Sequence, residues 1–180
     1  MAAWQLDPVH SSINFSIRHL VISKVRGRFT QWGATLDFDE AKPQAAKMEV
    51  RIQAASVDTH EPQRNGHLKS PDFFDVEKYP ELVYKSASVD VVDQDHFRVH
   101  GELTMHGVAR PVALEVEYAG RGRDPWGGER AGFTASARLN RKDFGMSFNQ
   151  ALETGGALLG DQVDIAIEIE AVAAKAQAAS

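Results

Sequence analysis

Apolar and polar residues alternate with period two along most of this chain, and few folds tolerate that pattern. In residues 9–18, Val9, Ile13, Phe15 and Ile17 fall on odd positions, while His10, Ser12, Asn14, Ser16 and Arg18 fall on even ones. Successive strand side chains point to opposite faces, so this spacing specifies a strand with one buried face. The same reading holds for residues 48–54, 112–118 and 133–139. It is cleanest at 163–170, where Val163, Ile165, Ile167 and Ile169 alternate with Asp164, Ala166, Glu168 and Glu170. Weaker runs cover 26–38, 82–92 and 97–105. Residues 39–43 and 93–95 read as hairpin loops, 106–111 as a further connection, and the glycine-rich 120–128 as an exposed loop. Serial strands with one apolar face each predict an antiparallel meander. With about eight strands, closure into a barrel removes the edges an open sheet would leave. The expected fold class is all-β, a closed antiparallel barrel with one short helix.

Two segments interrupt the alternation. Residues 61–68 read as a helix, with Thr59 as N-cap and Pro62 in the first turn; Phe73 and Phe74 follow as an apolar plug. Residues 149–160 hold a glycine-rich helical turn or loop. With 180 residues and 43% hydrophobic side chains, one domain over residues 1–171 is expected. The alanine-rich residues 172–180 read as a frayed tail.

The chemistry is defined mainly by what is missing. A net charge of −5 argues against a nucleic-acid partner, and the one basic group, Lys24, Arg26 and Arg28, reads as a solvated strand face. The absence of cysteine removes disulfides, thiolate nucleophiles and zinc ribbons. No run reaches the roughly 18 apolar residues of a membrane-spanning helix, and residues 1–7 lack a secretory pattern, so a soluble, cytoplasmic protein is expected. His96 and His100 in one strand would stand about 13 Å apart, too far to share an ion, and no metal is expected. His10 and Ser11 point to opposite faces, and no nucleophile elbow, phosphate loop or dinucleotide fingerprint occurs. No catalytic residue and no cofactor are expected.

The remaining signal is a surplus of large apolar side chains on inward faces: Phe15, Ile17, Phe29, Phe73, Phe74, Leu103, Leu114, Phe144 and Met146. These fill a small barrel or line a cavity within it. Small residues at Gly27, Ala54, Ala135 and Ala137 would leave room.

Several ordered motifs resemble one family. They are the opening 4–11 with Phe15 and His19, the stretch 25–29 with Asp37, and residues 56–59. Then come 64–75 with Tyr79 and Pro80, 101–108, 141–145 and 160–163. Together these resemble the YceI-like polyisoprenoid-binding family across residues 4–171. One position departs: Asn65 stands where many members carry an acidic residue. The resemblance implies a lipocalin-like barrel with a helix near its mouth and an elongated channel for a polyprenyl or quinone-like lipid. It implies no catalytic residues, and a homodimer. The lipid tail is expected against the apolar residues above, and its polar head near His10, Arg64 and His67, which donate well to phosphate or carbonyl oxygen. The competing expectation is an enzyme or accessory factor acting on such a lipid through a His/Asp pair at the channel mouth, such as His10 with Asp143.

Overall fold

The alternating segments form strands, which the computed structural model describes over residues 2–153 and 157–174. β1 (Ala2–Leu6) and β2 (Ser12–His19) follow one another, as do β3 (Ser23–Phe29) and β4 (Trp32–Phe38). β5 (Lys47–Gln53) and β6 (Val57–Asp58) are separated by a 3-10 turn at Ala54–Ser56. After the helix α1 (Pro62–Lys69) come β7 (Glu81–Val91), β8 (His96–Met105), β9 (Val108–Arg123) and β10 (Glu129–Asn140). A 3-10 turn at Arg141–Phe144 then leads towards β11 (Leu159–Ala173).

The pairings run β1-β4-β5-β7-β8-β9-β10-β11, and β11 returns to β1. This closes an antiparallel barrel of eight strands, as the alternation predicts. The closure uses broken strands. β11 pairs with β2 along one half (Ile165 with Phe15, Ile167 with Ile13) and with β1 at its end (Ala171 with Leu6, Ala173 with Trp4). β1 and β2 are thus one interrupted stave against β11. β3 and β4 form the next, pairing with β2 and β1 respectively, and β6 and β5 the third. Such interruptions let a stave bend around a closed sheet.

Five features differ from the sequence reading. The connection at 106–111 shrinks to His106 and Gly107, with φ of 54° and 71°; positive φ at both positions matches the twist of a tight hairpin, so β9 begins at Val108. β9 runs through the glycines to Arg123, and the exposed loop is only 124–128. Val172 and Ala173, expected in a tail, are held in β11 by pairing with Gln5 and Trp4; residues 175–180 lie outside the described residues. Glu61, not Thr59, caps α1, accepting from the backbone N–H groups of Gln63 and Arg64. His60, at φ 60°, reverses the chain so that the Glu61 carboxylate overhangs the first turn while Thr59 turns inward. Of the segment 149–160, the described part is a loop with a bridge between Ala151 and Ala157, and β11 starts within it at Leu159.

Two apolar clusters fill the barrel. One, with Phe29, Ile52, Leu82, Tyr84, Leu103 and Leu114 among its members, occupies the middle and the helix end. The other joins Trp4, Phe38, Phe97 and Tyr118 at the opposite end, with Phe133 packed against it. Phe38 meets Phe133 edge-on at 5.1 Å between ring centres, and the Trp4 indole N–H donates to the Phe38 carbonyl. That aromatic plug fills the barrel at the end away from α1.

Candidate functional site

Between the plug and α1 lies a cavity of about 430 Å³. That is within the range of small-molecule sites, about 300–1,000 Å³. Its wall is drawn from inward positions of nearly every strand. Phe15 and Ile17 come from β2, Phe29 from β3, Leu103 from β8 and Leu114 from β9; Phe73, Phe74 and Met146 close the helix end. Trp32, Met48, Leu82, Val99 and Val112 stand on the same wall, although only their periodicity marked them in the sequence. Phe29 anchors one side, 5.6 Å from Phe15 and 5.7 Å from Phe74 between ring centres.

Two expected lining residues stand elsewhere. Phe144 is 1% exposed and absent from the wall, because the 3-10 turn that carries it folds it into the core. His10 lies outside the cavity, in an ion-pair network at the opposite end. Of the small residues expected to leave room, Ala135 lines the cavity. Gly27 instead lies under the Phe15 ring, and Ala54 and Ala137 are packed in the core.

Asn14, Thr35, Lys47 and Ser86 line the cavity along the strands, and a hydrogen-bonded polar group stands at the helix end. Thr59, 3% exposed, donates its hydroxyl to Asn65 Oδ1 at 2.7 Å and accepts from Arg64 Nε at 2.8 Å. Arg64 Nη2 donates to the Thr59 carbonyl at 2.7 Å, which fixes this cation on the cavity wall. Asn65 Nδ2 donates to Asp58 Oδ1. The amide at 65 is therefore used from both sides, as acceptor for Thr59 and donor to Asp58; a carboxylate would face Asp58 with no proton to give. Backbone donation from His60, then Asn65, holds the Asp58 carboxyl below the usual range. His67 also lines the cavity, wedged edge-on against Phe73 and Phe148 and bonded through Nε2 to Asp72 at 2.9 Å.

Arg141 is the group that residue-by-residue reading missed, although it opens one of the family motifs. It is 3% exposed and lines the cavity. Its Nε donates to the Gly160 carbonyl, and its Nη1 to those of Met146 and Phe148. One guanidinium so ties both ends of the chain between the last 3-10 turn and β11 to the cavity mouth. Burial pushes its pKa down from the usual arginine value.

The expected pairing of His10 with Asp143 is not formed. His10 bonds Asp7 at 2.9 Å, beside Glu170, whose strand partner is Gly132. Asp143 follows the far end of β10, about 25 Å along the strand. Asp7, His10 and Glu170 could in geometry surround an ion. The Arg130 guanidinium already sits among them, donating to Asp7 and Glu170, and also to Asp124. A cation there would have to displace it.

Comparison with known proteins agrees with this geometry. Residues 4–171 match the family model described as a YceI-like domain. The protein called YceI from Escherichia coli O157:H7 is 42% identical over 166 residues, 92% of this chain and 83% of that one. A UPF0312 protein of Azotobacter vinelandii is 39% identical over 163 residues, 91% of this chain and 82% of that one. Among solved structures, the Campylobacter jejuni YceI protein superposes with a TM-score of 0.75 at 34% identity, covering 87% of this chain and 89% of that one. A polyisoprenoid binding domain from Saccharophagus degradans shares the fold with a TM-score of 0.70 at 17% identity, covering 97% of this chain and all of that one.

Proposed function

The chain belongs to the YceI-like family, and we propose that it holds the apolar chain of an isoprenoid lipid inside its barrel as a carrier or scavenger. The observation that carries this reading is the cavity: its wall is almost wholly apolar, aromatic rings pack at one end, and Thr59, Arg64, His67 and Arg141 line the other. Each CH₂ moved from water into such a wall contributes about 0.8 kcal/mol, so a few isoprene units are held firmly without any specific polar contact. Arg64 and His67 stand where a phosphate or carbonyl head would emerge, and each retains donor capacity. The fold neighbour from Saccharophagus degradans is described as polyisoprenoid binding, which is the same class of ligand. Cytoplasmic residence and a homodimeric state belong to the same proposal, and cell fractionation and light scattering check them.

Organic extraction of the purified protein followed by mass spectrometry tests the proposal. A co-purifying polyprenyl or quinone-like lipid is expected, and its loss in Phe15→Asp and Phe29→Asp variants whose circular dichroism is unchanged. A folded Phe29→Asp variant carrying the full amount of lipid would remove that wall from the site.

A second reading rests on the His67–Asp72 pair, a hydrogen-bonded imidazole and carboxylate on the cavity mouth. It is the arrangement a general base requires. Turnover of an offered polyprenyl phosphate, abolished by His67→Gln, would favour this enzymatic reading over carriage.

A further inference from the structure

We propose that the tip of the β2–β3 hairpin is a docking surface for an anionic phospholipid bilayer. Leu20, Val21 and Ile22 form this turn, and they are 38, 68 and 88% exposed. Three consecutive large apolar side chains at a hairpin tip do nothing for the barrel core. The turn does not favour them either. Leu20 and Val21 have φ of 54° and 65°, a left-handed conformation that glycine or asparagine adopts easily and a β-branched residue resists. The β8–β9 turn meets a similar requirement with His106 and Gly107. Exposed apolar groups kept at a conformational cost mark a surface that is covered in use.

The charge around the tip identifies what covers it. The chain has a net charge of −5, yet residues 8–36 contain no Asp or Glu and carry Arg18, Lys24, Arg26 and Arg28. All four are exposed. Arg18 and Lys24 are direct cross-strand partners just behind the tip, a like-charge pair that disfavours the hairpin in water. The acids that approach this hairpin are few. Asp164 is 3.9 Å from Lys24 but also 3.3 Å from Arg138, and Asp58 is 3.6 Å from Arg28. Arg18 and Arg26 have no ion-pair partner among the described residues. Apolar side chains ahead of a band of cations in excess over acids form the pattern of an interfacial anchor, in which the tip enters the acyl boundary and the cations meet anionic headgroups.

The tip also stands at the cavity mouth. The Leu20 N–H donates to the Leu158 carbonyl, and His19, Leu158 and Leu159 all line the cavity. A seated hairpin would bring that end of the barrel against the bilayer, so that an apolar ligand passes between them without crossing water. This consequence rests on the proposed function; the docking itself does not.

Co-sedimentation with vesicles of equimolar phosphatidylcholine and phosphatidylglycerol, against pure phosphatidylcholine, tests the docking. The wild-type protein should sediment with the anionic vesicles and be released by salt. The double variant Val21→Asn with Ile22→Ser should lose apparent affinity by at least about tenfold, since it removes the buried apolar area. Asparagine suits the left-handed position, so this variant folds, as circular dichroism would check. Arg18→Gln with Lys24→Gln should lose the preference for phosphatidylglycerol while keeping the tip. Wild-type protein left in the supernatant, or a tip variant that sediments equally well, overturns the proposal. So does a tip variant that turns a lipid-free dimer into a monomer by light scattering, because the tip would then belong to an interface between copies. Extraction of the same preparations keeps the two readings apart: docking without a carried isoprenoid sinks the proposed ligand and leaves the membrane surface standing.

Discussion

At Gly27 a single hydrogen sets how much of the barrel stays hollow. The residue lies opposite Phe15, and a Cβ placed there would stand 2.4 Å from the Phe15 ring. The missing side chain leaves room for the far edge of the Phe15 ring over the neighbouring strand. Gly27→Ala should therefore drive Phe15 inward. The expected outcome is a loss of about 1–3 kcal/mol in urea denaturation, with less lipid retained on extraction. An unchanged urea midpoint would show that the ring has room to yield. Gly101 serves Tyr84 in the same way: the ring covers it, and the buried hydroxyl reaches past to donate to the Val112 carbonyl. Burial pushes that phenol up to about 12.

At the scale of elements, α1 is an unusual helix because it buries none of its own residues fully. It is held by its ends. The Glu61 cap and the Thr59–Arg64–Asn65 hydrogen bonds secure the start. Leu68 in its last turn and Phe74 beyond it pack against the core, with the Phe74 N–H donating to the Leu68 carbonyl. An element fixed at its termini and filled beneath by two phenylalanines is suited to act as a lid. Hydrogen exchange over residues 62–75 should be faster in delipidated protein and slower when a polyprenyl phosphate is bound. Equal protection in both states would make the helix a permanent plug, and the entrance would then be sought at the 124–128 loop.

Over the whole molecule, the two ends of the barrel are held by different physics. The helix end depends on apolar packing and on hydrogen bonds from Arg64 and Arg141 to backbone carbonyls, the other end on aromatic rings and the charge network of Asp7, His10, Asp124, Arg130 and Glu170. Hydrogen bonds from His10 and then Arg130 hold the Asp7 carboxyl well below the usual range, and Asp7 in turn raises the pKa of His10. The Asp7 contribution is present above its ordinary value of 3.8 and fades as pH falls through the lowered one. The His10 contribution is complete below 6.5 and fades as pH rises through the raised value. Both act together between about pH 4 and 6.5. His10→Ala should therefore lower Tm more at about pH 5.5 than at about pH 9, and only slightly, because the imidazole is exposed. The same Tm difference at both pH values would detach His10 from the network. Fold class was legible in the sequence because strand periodicity is local: Val163 to Glu170 states which face is buried whatever lies opposite. The ordered motifs likewise marked Arg64, His67 and the phenylalanines of the 64–75 stretch. Which strands break and where β11 changes partners from β2 to β1 was decided by closure, a property of all eight staves together. The same holds for the hollow itself. Phe29 and Phe144 are equally apolar, yet one walls the cavity and the other is packed into the core. A side chain's chemistry fixes that it leaves water, whereas only the tertiary arrangement decides whether it meets another side chain or an open space.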